Sequence, residues 1–453
     1  MDHTQQLIHP DQAGFIPNRS IFDHIRLAKA ILNYVEIMEE NGSIIALDQE
    51  KAYDKIRHDY LWKTMEAFNP PPPFIRTVQA LYNNTQTRVA INGVLSEPFK
   101  VKRSVRQGDL LSCPLFDLAI ELLACQIQNN QNITGIIIPG IENAIKIKLF
   151  ADDTNLFLNK EDRLDYIQDI LNKWCKLSGA RFNIEKTEII PMGSDDHRKQ
   201  IITSRKINPD DRAPLPKRIH IAKNSEAVQI LGAWIGNKVN DVTPWEPIID
   251  TINAKLKTWE KTHPTMNRKQ LIIQAIVGGH TQFLTKAQGM PKPIEKALEK
   301  TISKFIWGQE SKPWIAPETL QCPINEGGLN ILNIQARNEA IELIWLKAYL
   351  NFTPSCQQWA IITDHIILTT EPDELVDDAR NDPLLQTWKF SLKGPKADKL
   401  NNNIKRMLKM AKKYNTKLTA IKITPYILAQ LPAWYHVATE NRPLNNSKAK
   451  CLL

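Results

Sequence analysis

Cysteine is scarce and scattered: six residues, at positions 113, 125, 175, 322, 356 and 451, with no Cys-x-x-Cys pair among them. That spacing argues against a zinc knuckle or a disulfide framework and points to a reducing, intracellular setting. No stretch reaches the ~18 uninterrupted apolar residues of a membrane span, so no membrane partner is expected. The opening "MDHTQQLIHPDQAGF" has neither the basic leader nor the apolar core of a signal peptide. Cys451 stands third from the end, and a prenylation box needs it fourth. Excess charge is also modest: 58 Lys and Arg against 49 Asp and Glu, a formal +9, compatible with a polyanionic partner but not specific for one.

What is present is a chain of 453 residues, long enough for two or three domains. Ser20 and Asp23 read as a capping box, and Ile21, Ile25, Ala28, Leu32 and Val35 align on one helical face that Asn41-Gly42 would stop. "SIIALD" follows as a buried strand ending at Asp48. "KIRHDYLWKTMEAF" reads as a helix that "NPPPP" (69–73) terminates, and "TRVAINGVLSEPFKV" as a hairpin turning at Asn92-Gly93. "PLFDLAIELLACQIQ" is a largely buried helix. "AIKIKLF" and "TNLFLN" alternate on either side of Asp152-Asp153 as strand, turn and strand.

A helix over 161–177 and a strand at "NIEKTEII" come next. Residues 194–225 read as a polar loop or insertion, and "VQILGAWIG" (228–236) as a short strand pair. Beyond 240 the pattern is helical, with Ile249, Ile252, Leu256 and Trp259 on one face and Ile294, Leu298 and Phe305 on another. Lys255, Lys257, Lys292, Lys296, Lys300 and Lys304 occupy the other sides. The segment 401–417 is basic and amphipathic, most simply a solvated face. The first half is thus mixed α/β and the second α.

Two adjacent carboxylates between apolar runs resist burial unless something relieves their repulsion. Turn chemistry is the plain explanation for Asp152-Asp153. A hard divalent cation is the sharper one, provided another acid joins them. Asp48, at the end of an equally apolar strand, would do so if the two strands were sheet neighbours.

"ALDQEKAYDKI", "SVRQGDLLSCPLF" and "FADDTNLF", in this order, resemble motifs A, B and C of the reverse transcriptases of non-LTR (LINE-type) retrotransposons. "QAGFIPNRSIFDHI" (12–25) is similar to the segment preceding motif A, "SGARFNIEKTEII" (178–190) to motif D and "ILGAWIG" (230–236) to the primer-grip motif E. "GGLNILNIQARNEAIELIWLKAYL" (327–350) resembles the segment after the thumb in fungal elements of the Tad type.

The resemblance implies an α+β right-hand polymerase palm: an antiparallel sheet with flanking helices and partial fingers over 1–240. A helical thumb-like region over 241–335 and a helical C-terminal region over 336–453 would follow. It implies an RNA-directed DNA polymerase taking an RNA template, a DNA primer and dNTPs, with two Mg²⁺ ions (Mn²⁺ as a substitute) on Asp48, Asp152 and Asp153. Lys186 would be the general acid for pyrophosphate and Tyr53 the steric gate against a 2′-hydroxyl. Arg106, Gln107 and Gly108 would meet the nucleotide and template, and Leu231 and Gly232 would shape the primer grip. The basic helices beyond 240 would track a duplex backbone, and the site of action would be the nucleus.

Three positions depart from the family pattern. Ser104 stands where motif B usually has Gly, Leu110 where it has Pro, and Pro114 where it has Leu. With about eleven residues before "QAGF", most of the fingers, an endonuclease domain and a terminal knuckle are expected to be missing. The alternative is therefore a slow or inactive remnant that at most binds nucleic acid.

Overall fold

The computed structural model describes residues 4–308, 313–351, 353, 356–369, 392–414 and 416. Contacts divide the chain into two compact units. One comprises residues 1–25, 38–231 and 235–238; the other comprises 26–37, 232–234 and 239–453.

The first unit is built on a five-stranded sheet. Its strands are β1 (Gly42–Gln49), β2 (Ile147–Phe150), β3 (Asp153–Asn159), β4 (Phe182–Met192) and β5 (His220–Ile221), in the order β2-β3-β1-β4-β5. All neighbours are antiparallel except β4 and β5. β1 is central and buried on both faces, which is why "IIAL" is continuously apolar rather than alternating. Ile45 lies between Leu156 of β3 and Ile189 of β4, and all three enter one core with Leu47 and Leu158. Against that face pack Leu61 and Met65 of α2 (His58–Phe68), Leu115, Phe116, Ile120 and Leu123 of α4 (Ser112–Gln128), and Ile167 and Trp174 of α5 (Leu164–Ser178). Each such side chain, fully buried, stabilises by about 1.5–3 kcal/mol at most.

Local details differ from the sequence pattern. The helix α1 (Ile21–Ile37) stops before Glu39, which takes φ 56°, and not at Asn41-Gly42. Gly42 instead opens β1, where a Cβ would lie 2.3 Å from the Leu158 carbonyl oxygen. Of "KIRHDYLWKTMEAF" only His58–Phe68 forms α2, and the stretch's first residue, Lys55, closes a separate turn over Ala52–Lys55. The prolines after it do more than end a helix: Pro72 and Pro73 start α3 (Pro72–Tyr82), where a missing N–H costs nothing. Within 194–225, read as loop, lie α6 (Asp195–Ser204) and β5. The Ser194 hydroxyl accepts from the His197 N–H to cap α6.

The second unit is helical: α7 (Glu246–Glu260), α8 (Met266–Ile273), α9 (Gly279–Gln288), α10 (Lys292–Trp307), α11 (Ile334–Tyr349), α12 (Gln358–Leu368) and α13 (Asn402–Lys413), with shorter turns between. Ile252, Leu256, Ile294, Leu298 and Phe305 are buried together, as their spacing requires; Trp259, at the end of α7, stays half exposed. The six lysines named above are exposed. Residues 241–335 and the described residues of 336–416 share this unit, with α11 packed on α13. The apolar face of 401–417 is buried through Ile404, Met407, Leu408 and Ala411, while Lys409 and Lys412 face solvent. Positions 415 and 417 of that segment, and Cys451, lie outside the described residues. Among the described residues no helix is long and apolar enough to cross a membrane.

Candidate active site

The strand register brings the acidic residues together. Leu47 of β1 is paired with Thr154 of β3, so Asp48 falls one step on, beside Asp153. Directly opposed residues in such a ladder have Cα atoms about 4.5–5.5 Å apart. Leu47, Leu156 and Leu158 point to the helix-packed core. Alternation therefore sends Asp48 and Asp153 to the opposite face, away from α2, α4 and α5. Asp152 precedes Asp153 in the β2–β3 turn, and its carbonyl oxygen accepts a bond from Gln49 Nε2 at 3.3 Å.

On the other side of β1 the register slips. Ala46 pairs with Glu188, but Asp48 pairs with Asn183, so residues 184–187 of β4 bulge out. The bulge is held locally: Thr187 Oγ1 donates to the Asn183 carbonyl oxygen at 3.0 Å, and the Glu185 N–H donates to Asn183 Oδ1 at 3.0 Å. Lys186 rides on it and places Nζ 3.4 Å from Asp48 Oδ2. This is how a lysine 138 positions downstream of Asp48 meets it.

Electrostatics follow from the crowding. Burial pushes the Asp152 carboxyl up, with a further push from Asp48. Asp153 keeps a solvent-exposed edge, yet the protein packed around the turn, then Asp152 and Asp48, raise it to about 6 against a lowering from Lys186. Among the described residues no three His, Cys, Asp or Glu side chains close around one point as a metal site by themselves. The donor set is nevertheless of the right chemistry: three hard carboxylates, two of them raised first by burial and then by neighbouring carboxylate charge, which a divalent cation would relieve.

Tyr53 is near enough to Asp152 to feel its charge. Its ring stacks on Phe116 of α4 at 4.7 Å and 16°, and its hydroxyl is 3.8 Å from Cys113 Sγ. Its pKa is raised, first by burial, then by Cys113 and by the carboxylates of Asp117 and Asp152.

The motif B loop is more open. Gln107 and Gly108 are exposed; Gly108 has φ 86° with nothing within 4 Å of where a Cβ would stand, leaving the backbone approachable. Arg106 does not extend toward that space. Its guanidinium bonds the Leu81 carbonyl oxygen and Thr85 Oγ1 and lies 5.1 Å from the Tyr82 ring centre. Ser104 takes φ 90°, a conformation that favours glycine, and is held by its N–H to the Ile56 carbonyl oxygen at 2.8 Å. Leu110 sits at the second position of a turn closed by the Ser112 N–H on the Asp109 carbonyl oxygen (3.2 Å), with Asp109 Oδ1 accepting from the Leu111 N–H. The turn thus forms without proline. Pro114 is accommodated in the first turn of α4.

Leu231 and Gly232 form the turn of a hairpin between β6 (Val228–Ile230) and β7 (Ala233–Ile235), with φ 52° and 75°. Both positive angles match the tight turn that fits strand twist. Leu231 pays for lacking the freedom of glycine there.

One contributor has no local sequence signal. Gln12, fully buried, lies against the β2–β3 turn: its Oε1 accepts from the Ala151 N–H at 2.9 Å and the Gly14 N–H at 2.7 Å. "QAGF" was legible only as part of the segment resembling the family.

Residues 1–235 match the profile of the reverse transcriptase (RNA-dependent DNA polymerase) family, and the chain belongs to that family. The transposon TX1 uncharacterized 149 kDa protein of Xenopus laevis is 26% identical over 361 residues, 79% of this chain and 26% of the relative. The retrovirus-related Pol polyprotein from the type-2 retrotransposable element R2DM of Drosophila melanogaster is 29% identical over 39% of this chain and 16% of its own. A solved telomerase from Candida tropicalis, in complex with a fragment of telomeric RNA, aligns over 78% of this chain and 53% of its own at 11% identity and TM-score 0.36. The chain therefore spans about a quarter of the TX1 relative. The expected likeness to non-LTR retrotransposon reverse transcriptases is met, without singling out the fungal Tad type.

Proposed function

We propose that this chain carries RNA-directed DNA polymerase chemistry: transfer of a dNTP to a primer 3′-hydroxyl opposite an RNA template. The supporting observation is the meeting of Asp48 with Asp152 and Asp153 at the strand ends, on the face opposite the helix-packed core, 104 residues apart in sequence. Asp48, Asp152 and Asp153 would hold two Mg²⁺ ions, or Mn²⁺ in their place. When bound, the ions supply a lowered pKa at the attacking hydroxyl and neutralisation of the triphosphate.

The remaining roles belong to the side chains. Lys186, with its Nζ 3.4 Å from Asp48 Oδ2, would protonate the leaving pyrophosphate. Tyr53, fixed by its stack on Phe116, offers a rigid ring that would crowd a 2′-hydroxyl. Gly108 and Gln107 present open backbone and an amide to the templating base or nucleotide. Arg106 would reach phosphate only by leaving Leu81 and Thr85, so its first task is bracing the loop. The Leu231-Gly232 turn would steady the primer by backbone contact. The exposed lysines of α7 and α10 would follow a duplex by its phosphates.

Primer extension on a homopolymer RNA template tests this. Extension should require a divalent cation, and Asp152→Asn should reduce it by at least 10²–10³-fold, the scale of losing one preorganised electrostatic group. Tight template–primer binding with no extension in Mg²⁺ or Mn²⁺ would overturn the reading in favour of an inactive binder.

A further inference from the structure

We propose that Gln12 is a positioning residue for the Asp152–Asp153 turn: its side-chain amide fixes the backbone of Ala151, and thereby where the two carboxylates stand. This rests on the polymerase reading of that site.

The segment before α1 joins the sheet edge through one isolated bridge. The Leu149 N–H donates to the Asp11 carbonyl oxygen and the Ala13 N–H donates to the Leu149 carbonyl oxygen, both at 2.8 Å, a parallel bridge of Gln12 to β2. β2 ends at Phe150, and the backbone ladder ends with it. At Ala151 the Gln12 side chain takes over. Oε1 accepts the Ala151 N–H at 2.9 Å and Nε2 donates to the Ala151 carbonyl oxygen at 3.3 Å, so one amide satisfies both polar groups of one residue. A second backbone donor, the Gly14 N–H at 2.7 Å on the same Oε1, fixes the amide's orientation: turned over, its NH₂ would face two N–H groups.

The residue so held is strained. Ala151 has φ 53°, uncommon for a residue with a Cβ, and such a conformation persists where its surroundings over-determine it. Gly14 adds a steric constraint, since a Cβ there would lie 2.3 Å from the Ala151 nitrogen. Glutamine suits the task for specific reasons. Glutamate of the same length lacks the donor and buries a charge. Asparagine is one methylene short, and methionine matches the shape without either bond.

The test uses the full chain with Gln12→Met, Gln12→Glu and Asp152→Asn. Three readouts are taken: hydrogen exchange across residues 147–156, Mn²⁺ binding by electron paramagnetic resonance, and primer-extension kinetics. For Gln12→Met, exchange at the turn should accelerate about tenfold, the loss of one net hydrogen bond, while β1 and β4 keep their protection. Mn²⁺ binding should weaken, and kcat should fall by ~10²-fold at unchanged dNTP KM, as expected for a displacement of about 1 Å. Gln12→Glu, keeping length but not the donor, should fall between the two; it also serves if Gln12→Met does not fold. Wild-type exchange and kcat in Gln12→Met would overturn the proposal. So would a loss accompanied by faster exchange throughout the sheet, which marks general destabilisation. If the wild-type chain extends no primer, the polymerase reading fails, while exchange and Mn²⁺ binding still decide the role of Gln12.

Discussion

The Asp152–Asp153 turn and the Ser104–Leu110 loop make an instructive pair. Each carries a non-glycine residue in the left-handed region, Ala151 at φ 53° and Ser104 at φ 90°. Their surroundings differ. The turn is enclosed by a buried side-chain amide and a close backbone approach. The loop is open at Gln107, Gly108 and Leu110, and is braced from behind by Arg106 and by the Asp109 turn. A turn that carries converging charges needs fixed geometry, because electrostatic preorganisation fails when donors or carboxylates drift. A loop that receives a substrate needs an approachable backbone. All three departures from the motif B pattern lie in or just beyond the open loop, and none in the enclosed turn.

The largest expected effect comes from breaking the enclosed side. Gly14→Ala forces a Cβ onto the Ala151 backbone; overpacking of this kind costs about 1–3 kcal/mol, read as a lower midpoint in urea unfolding. Unchanged stability would mean the 12–14 segment yields freely. Next is Ser104→Gly in the loop. Removing the Cβ at φ 90° relieves strain of about 1 kcal/mol, less the extra freedom glycine has when unfolded, so a gain in Tm is expected.

Of similar size is Leu110→Pro in the same loop. Leu110 precedes a residue at φ −84°, ψ −18°, the third position of a turn whose second position favours proline, and among the described hydrogen bonds none uses its N–H. A gain of about 0.4–1 kcal/mol follows from the stiffer unfolded chain. A loss would show that Leu110 does not occupy that turn in solution.

A further effect depends on pH. The Asp153 carboxyl is raised to about 6 in the folded chain, against about 4 unfolded. The folded state therefore holds the proton more tightly. Its contribution is complete below about pH 4, and is lost as pH rises through about 6. Asp153→Asn should accordingly raise Tm at pH 8 and leave it unchanged at pH 4. Added Mg²⁺ should raise the wild-type Tm at pH 8 more than that of the variant.

Much of this architecture is legible along the chain. Asp48 after a run buried on both faces, and Asp152-Asp153 between two alternating runs, could be read as strand ends because strand burial imposes pattern on neighbouring residues. The helices beyond 240 were legible for the same reason. What the pattern conceals is anything held by side-chain hydrogen bonds between distant segments. Arg106 looks like a free cation in "VRQGD", and only Leu81 and Thr85 reveal its bracing role. The α6 helix hides in a polar stretch because its stability is capped and ion-paired: Arg198 reaches the Gly193 carbonyl oxygen and Asp195.

By itself, the order of residues determined that apolar strands end in carboxylates, that glycine or its substitutes stand at each turn, and that helices follow. These are local matters of propensity and burial, decided within a few residues. Only the tertiary structure decided that Asp48 stands beside Asp153, that a register slip in β4 delivers Lys186 to Asp48, and that Gln12 closes the turn from 139 positions away. Strand register and long-range hydrogen bonds are set by the simultaneous packing of many segments, and no single stretch of the chain contains that information.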